Sequence, residues 1–111
     1  MTTKHGIRDG VDIFSISGRL VMENANDVRS QTKTIIDEGN GNLVIDLEHL
    51  TFLDSSGCSV LISAYKAIRA RQGRLVLSHV SPEIMSLFEL TRLNEIFEIF
   101  PDTEAAIAAI A

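Results

Sequence analysis

The sequence predicts a single α/β domain with a mixed β-sheet, and three observations support this prediction. The chain has 111 residues, of which 45% are hydrophobic, enough for one domain with a buried core over residues 1–111. The dipeptide Asp9-Gly10 suits a type I′ turn and precedes the strand-like run Val11–Ile16, so an antiparallel hairpin is expected first. Further along, a helical pattern separates the apolar runs Leu43–Leu47 and Leu75–Leu77, which predicts two parallel strands joined by a crossover helix.

The first elements after the turn are a strand and a helix. Val11–Ile16 alternates as a strand that buries one face, and Gly18 is expected to end it. Asn24 can cap a helix from Ala25 to Glu38, which two following glycines stop. The positions of this helix that follow the helical period are Ala25, Val28, Thr32, Ile35 and Ile36.

The centre of the chain places polar residues between a strand and a helix. Leu43–Leu47 is apolar and partly β-branched, which is typical of a strand buried on both faces. From about Ser56 to Arg71 the apolar residues follow the spacing of an amphipathic helix, and Gly73 marks its end. Asp54–Gly57 lies between them and consists of small residues that favour helix N-caps. The sequence therefore presents two hydroxyls and a carboxylate at the start of a helix that packs on a sheet.

The last part of the chain alternates short strands and short helices. After the strand Leu75–Leu77, Ser81-Pro82 supplies an N-cap and a first helical residue. Phe97–Phe100 is expected to add an edge strand, which Pro101 stops. Either Asp102 or Thr103 then starts a terminal helix rich in Ala and Ile.

The composition argues against several classes of protein. The formal net charge is −5 and the pI is about 5.0, so the basic surface that drives nucleic-acid binding is missing. The only cysteine is Cys58, the first residues do not resemble a signal peptide, and no apolar run approaches the roughly 20 residues that span a bilayer. The sequence therefore predicts a cytoplasmic protein that contacts other proteins and neither nucleic acid nor membrane.

The motifs expected of an enzyme are missing as well. A nucleophile elbow needs G-x-S-x-G, and the sequence Gly57–Leu61 around Ser59 lacks the second glycine. Neither a phosphate-binding loop nor a paired C-x-x-C or H-E-x-x-H metal motif occurs, so no catalytic residue, metal or cofactor is predicted. Asp46 and Glu48 are interpreted as polar groups at a strand end. The three histidines are scattered and are interpreted as surface residues: His5, His49 and His79.

Cys58 lies in the first turn of the central helix and admits two interpretations. The helix dipole can lower the pKa of its thiol, whereas a small buried thiol is the commoner case. Lys66, Arg69 and Arg71 are expected on the solvated face of the same helix, where an acidic partner can also contact them.

The central stretch resembles a family signature. The segment Leu47–Gly57 reads L-E-H-L-T-F-L-D-S-S-G and is similar to the motif of STAS domains, specifically of the bacterial anti-sigma factor antagonists. Ser17–Leu20 lies upstream in family order, and Gly73–Leu77, Ser81-Pro82 and Leu87–Leu93 lie downstream, so the resemblance covers nearly the whole chain. It implies a four- or five-stranded mixed sheet with most helices packed on one side.

The resemblance also implies a function, which is regulation by partner switching. In these antagonists the first serine after the aspartate is phosphorylated, and the matching residue is Ser55; Ser56 is the second candidate and can equally be the N-cap. The unmodified form is expected to bind an anti-sigma factor that is also a serine kinase of the histidine-kinase-like ATPase family. Phosphorylation would release it, and a PP2C-type phosphatase would reverse the release. The expected partner-binding residues are Asp54, Ser55, Ser56, Gly57, Cys58 and Ser59.

Two departures from the family pattern and two alternative functions accompany this interpretation. Val21 stands where many antagonists have Asp, and Cys58-Ser59 replaces a frequent Leu-Gly, so partner choice is expected to differ. A side chain at Gly57 is expected to block a partner while leaving the fold intact. The alternatives are a STAS switch that controls secretion, biofilm formation or other signalling, and a STAS subunit of a lipid or solute transporter.

Overall fold

The computed structural model describes residues 1–111 and confirms the predicted α/β class with a mixed sheet. Six strands, four α-helices and one short 3₁₀ helix make up the fold. In chain order they are β1 Thr2–Arg8, β2 Val11–Leu20, α1 Met22–Glu38, β3 Asn42–Asp46, β4 Leu50–Leu53, α2 Ser55–Ala70, β5 Arg74–Ser78, α3 Pro82–Thr91, the 3₁₀ helix Leu93–Glu95, β6 Glu98–Phe100 and α4 Thr103–Ile110.

The amino-terminal hairpin forms as the sequence predicts. β1 and β2 are antiparallel with Arg8 opposite Val11, which leaves Asp9 and Gly10 as a two-residue turn. Both turn residues have positive φ angles, 53° and 76°, as a type I′ turn requires. The expectation that Gly18 ends the strand is wrong, because β2 continues to Leu20. Gly18 instead has a φ of 90° where the pairing of β2 shifts its register.

The sheet has one strand more than the four or five that the family resemblance implies. Strands β2, β3, β5 and β6 are parallel to one another, in the order β1-β2-β3-β5-β6, and β4 pairs with the last residues of β2. Strand β4 escapes prediction because only Leu50 and Leu53 of its four residues are buried. β4 nevertheless positions the site, since it delivers the chain directly to the start of α2.

Apolar side chains cover both faces of the sheet. The larger cluster lies between the sheet and helices α1, α2 and α3, and includes Phe14, Leu61 and Phe88. The smaller cluster joins Val44 and Val76, with other residues of the opposite face, to α4. Most helices therefore pack on one side of the sheet, as predicted, and α4 alone covers the other side.

The helix starts show which caps the sequence identifies correctly. Ser81 Oγ accepts a hydrogen bond from the Ile84 N–H (3.2 Å), and Asp102 rather than Thr103 caps α4. Helix α1 begins at Met22, three residues before the predicted start, so Asn24 is not its N-cap. The Oδ1 atom of Asn24 instead accepts from the Val21 N–H (2.9 Å), the reciprocal contact of a capping box. No helix combines the length and the apolar character that crossing a bilayer requires.

Candidate functional site at the start of helix α2

Two helices begin side by side at the predicted site. The parallel strands β2 and β4 are paired at Leu20 and Leu53, and each leads within two residues into a helix. α1 begins at Met22 and α2 at Ser55, so both positive helix ends lie at the same edge of the sheet. The surface between these two helix starts contains the segment Asp54–Gly57.

Asp54 joins the two helix starts through its carboxylate. Its Oδ1 atom accepts from the Gly57 N–H (2.9 Å) and caps α2, while its Oδ2 atom accepts from the Met22 N–H at the start of α1 (3.1 Å). The hydrogen bond from Gly57, and then that from Met22, holds the pKa of the Asp54 carboxyl below its ordinary value. An ionised carboxylate therefore occupies the N–H groups beside Ser55 at neutral pH.

We expect Asp54→Ala to lower the melting temperature by several degrees at pH 7, because it removes a cap from α2 and a contact to α1. The pKa of Asp54 is lower in the folded protein than in the unfolded chain. The stability that ionised Asp54 contributes is therefore complete above the ordinary carboxyl pKa of about 3.9, and it is lost as the pH falls through the pKa of Asp54 in the folded protein. Thermal unfolding of both proteins at several pH values should show their difference shrink in acid. Asp27→Ala, which changes an exposed aspartate of α1, serves as control. An equal loss at all pH values would contradict this role.

The two serines of the motif differ in exposure. Ser55 is the first residue of α2 and is exposed, whereas Ser56 is partly buried. Since Asp54 caps the helix, the interpretation of Ser56 as N-cap is wrong. Ser59 lies one helical turn beyond Ser55 and is also exposed. Ser55 and Ser59 thus present two hydroxyls on one face of the helix.

Gly57 has a packing role that the sequence does not reveal. It is buried, and a Cβ atom added to it would lie 2.5 Å from the Leu20 carbonyl oxygen and 2.9 Å from Leu53 Cβ. The absence of a side chain allows α2 to pack against the ends of β2 and β4. The expectation that a larger residue at Gly57 leaves the fold intact is therefore wrong, and Gly57 offers a partner no side chain.

Of the two interpretations of Cys58, the structure favours the small packed thiol over the thiol activated by the helix dipole. Its side chain is half-buried. Burial raises the pKa of its thiol, and the nearby negative charge of Asp54 raises it further. These effects outweigh the helix dipole, so the thiol is protonated at neutral pH. Cys58 packs against the core and contributes apolar surface rather than a reactive thiolate.

An open, mainly apolar groove extends from Ser55 along α2 toward α3. Its volume is about 490 Å³, and Ser55 lies at its rim. The sequence does not predict the groove, because apolar helix residues such as Leu87 and Ile62 have the same pattern as core residues. Both are only partly buried. The remaining lining residues are Leu53, Asp54, Cys58, Ser59, Ser63, Lys66, Thr91 and Leu93.

Two residues beside Asp54, one in space and one in sequence, have large exposed apolar side chains. Met22, the first residue of α1, is 70% exposed, and Phe52 of β4, two residues before Asp54, is 42% exposed. The guanidinium of Arg19 lies 4.5 Å from the centroid of the Phe52 ring. Exposed apolar groups of this size close to a groove are typical of a surface that contacts another protein.

Asp46, Glu48 and His79 form a second polar cluster at the carboxyl ends of β3 and β5. Their nearest side-chain ligand atoms lie within 4.8 Å of one another, a spacing that suits a metal ion. However, Asp46 Oδ1 already accepts from the Ser78 hydroxyl (3.2 Å), the Glu48 N–H (3.3 Å) and the His79 ring (2.9 Å). We therefore assign the cluster the role of joining the ends of two strands, which agrees with the interpretation of Asp46 and Glu48 as strand-end groups.

Comparisons with known proteins agree with this fold. The family model described as STAS domain matches residues 4–106. The anti-sigma-B factor antagonist of Listeria monocytogenes is 35% identical over 82% of this chain and 79% of its own length. The anti-sigma F factor antagonist of Paenibacillus polymyxa is 29% identical over 91% of this chain and 87% of its own.

A solved structure gives the same result in three dimensions. The crystal structure of an anti-sigma factor antagonist from Mycobacterium paratuberculosis superimposes with a TM-score of 0.89 at 28% identity, covering 98% of this chain and 92% of that one. The family model, the relatives and the fold all lead to the same assignment. The chain belongs to the STAS domain family, among its anti-sigma factor antagonists.

Proposed function

We propose that this protein binds an anti-sigma factor through the surface around the start of α2, and that phosphorylation of Ser55 breaks the complex. The observation that carries the proposal is the position of Ser55: an exposed hydroxyl at the rim of an apolar groove, directly beside the ionised Asp54. The similarity to proteins named anti-sigma factor antagonists supplies the class of partner.

The docking surface on this protein combines the groove with the exposed apolar residues beside it. Met22 and Phe52 offer apolar contact area, and the groove offers Ile62 and Leu87 to a complementary side chain of the partner. Of the six partner-binding residues that the sequence predicts, Ser55 and Ser59 are exposed, while Asp54, Ser56 and Cys58 are partly exposed. Gly57 acts by holding α2 in place.

A phosphate on Ser55 changes this surface without a change of fold. It adds about −1.5 to −2 charge beside a carboxylate that is already ionised. The carboxylate of Asp54 accepts from the Gly57 and Met22 N–H groups, so these two groups are not available to the phosphate, which the exposed Ser55 carries at the surface. Like-charge repulsion and the cost of desolvating a dianion then oppose docking.

The enzymes of the cycle are partners in this proposal, and the protein itself is their substrate rather than an enzyme. The anti-sigma factor would be a serine kinase of the histidine-kinase-like ATPase family, and a PP2C-type phosphatase would remove the phosphate. In the proposed cycle this protein acts in the cytoplasm. The test is to incubate the protein with such a kinase from the same genome and ATP, and to locate the phosphate by tandem mass spectrometry. Modification of Ser55 supports the proposal, and a protein left unmodified by every such kinase argues against it.

Ser56→Ala is expected to remain a kinase substrate and to unfold within about 0.5 kcal/mol of the wild type, because Ser56 does not cap α2. Ser55→Ala, the matched variant one residue earlier, should be equally stable and accept no phosphate. Urea unfolding measures the stability of each variant, and mass spectrometry measures its modification. Phosphate on Ser56 in the Ser55→Ala protein at the wild-type rate would contradict the assignment.

A further inference from the structure

A phosphate on Ser55 would add negative charge beside the ionised carboxylate of Asp54. A role for a cation near this phosphate rests on the proposed function, since it concerns the phosphorylated form. The carboxylate of Asp54 accepts from the N–H groups of Gly57 and Met22, which would otherwise attract a phosphate. The phosphorylated protein therefore places a dianion beside a carboxylate, an arrangement that a nearby cation would stabilise.

Arg29 of α1 is the cation that the fold holds on this side of α2. Its Nη2 atom donates to Ser59 Oγ (3.3 Å), and its Nη1 atom donates to Asn26 Oδ1 (2.6 Å). Both acceptors are neutral, and Arg29 forms no ion pair, unlike Lys33 on the next turn of α1, which pairs with Asp37. The Arg29 guanidinium is therefore free of any competing carboxylate.

The distances suit a move of this guanidinium to Ser55. Ser59 is four residues after Ser55 on the same helix face, where Cβ atoms lie about 5–6 Å apart. Since the guanidinium already contacts Ser59, a rotation of the Arg29 side chain brings it to a phosphate on Ser55. Lys66, which also lines the groove, is eleven residues after Ser55 and thus about 16 Å along the helix axis. Arg19 lies over the Phe52 ring.

We propose that Arg29 is the intramolecular phosphate-binding residue of the phosphorylated form. In the unmodified protein its guanidinium donates to Ser59, and on phosphorylation it shifts to the Ser55 phosphate, whose oxygens match the planar donor fork of arginine. The contact links α1 to α2 across the docking surface. The contact also makes the positive charge of Arg29 less available to the partner. Phosphorylation therefore changes the docking surface at both Ser55 and Arg29.

The test uses phosphoserine installed at position 55 during translation, so that no kinase is needed. A ³¹P NMR titration gives the second pKa of the phosphate, which is about 6 for free phosphoserine. We expect Arg29→Gln to raise this pKa by about 0.5 unit or more relative to the protein with Arg29, because the arginine favours the dianion. Arg29→Lys should restore part of the difference. Lys33→Gln, the control on the next turn, should leave the pKa unchanged.

A second measurement needs no substitution. In the protein with Arg29, the Nε–H signal of Arg29 should shift and its exchange with solvent should slow when position 55 carries phosphoserine instead of serine. Equal phosphate pKa values with and without Arg29, or an Nε–H signal that phosphorylation leaves unchanged, would overturn the proposal. Failure of every kinase to modify Ser55 would instead count against the proposed function, because the installed phosphoserine reports on Arg29 independently.

Discussion

Gly57→Val is expected to destabilise the protein by at least about 3 kcal/mol, which is a large part of the total for a domain near the low end of the usual range of about 5–15 kcal/mol. The Cβ atom of the new side chain would lie 2.5 Å from the Leu20 carbonyl oxygen and 2.9 Å from Leu53 Cβ. Both belong to paired strands that cannot move apart without breaking the β2–β4 contact. The side chain can be accommodated only by displacing the start of α2.

Urea unfolding of Gly57→Val beside Gly6→Val measures this effect. Gly6 lies in β1 with no atom within 4 Å of an added Cβ, and valine is favoured in strands, so the control should retain wild-type stability. Gly57→Ala provides a measurable intermediate, with an expected cost of about 1–3 kcal/mol, if the valine protein does not fold. Equal midpoints for the position 57 and position 6 variants would contradict the packing role of Gly57.

The local features of the fold could be predicted from the sequence because their causes are local. The Asp9-Gly10 turn depends on two residues that tolerate positive φ, and the caps Ser81 and Asp102 depend on side chains that bond N–H groups three residues away. The polar segment Asp54–Gly57 before an amphipathic helix is also a local pattern, and its resemblance to the STAS motif indicates its role.

The features that could not be predicted depend on contacts between distant segments. Strand β4 forms because its ends pack under α2 and α3 while its middle residues stay exposed, a pattern with no strand period. The close approach of Gly57 to Leu20 and the bond from Met22 to Asp54 join residues more than 30 positions apart. In the sequence, Gly57 can be explained as part of a flexible turn and Asp54 as a helix cap. These local explanations do not indicate that both residues contact distant segments.

Phosphorylation of Ser55 is expected to weaken binding of the anti-sigma factor by about 2–3 kcal/mol, roughly 30- to 150-fold in the dissociation constant. The reason is local: the phosphate lies at the rim of the groove, beside the ionised Asp54, where the partner must exclude water. Since the fold is retained, most of the loss should appear as faster dissociation and not as unfolding of the antagonist. Circular dichroism spectra of the two forms should coincide.

The most direct test is calorimetric titration of the cognate anti-sigma factor into the protein with serine or with phosphoserine at position 55. A third protein carries phosphoserine at position 108, in place of an exposed alanine of α4 on the opposite face of the sheet, and adds the same charge away from the groove. We expect tight binding by the unmodified protein, nearly the same affinity for the position 108 control, and at least about 30-fold weaker binding for phosphoserine at position 55. Equal affinity of the serine and phosphoserine forms at position 55 would contradict the proposal that Ser55 controls the complex.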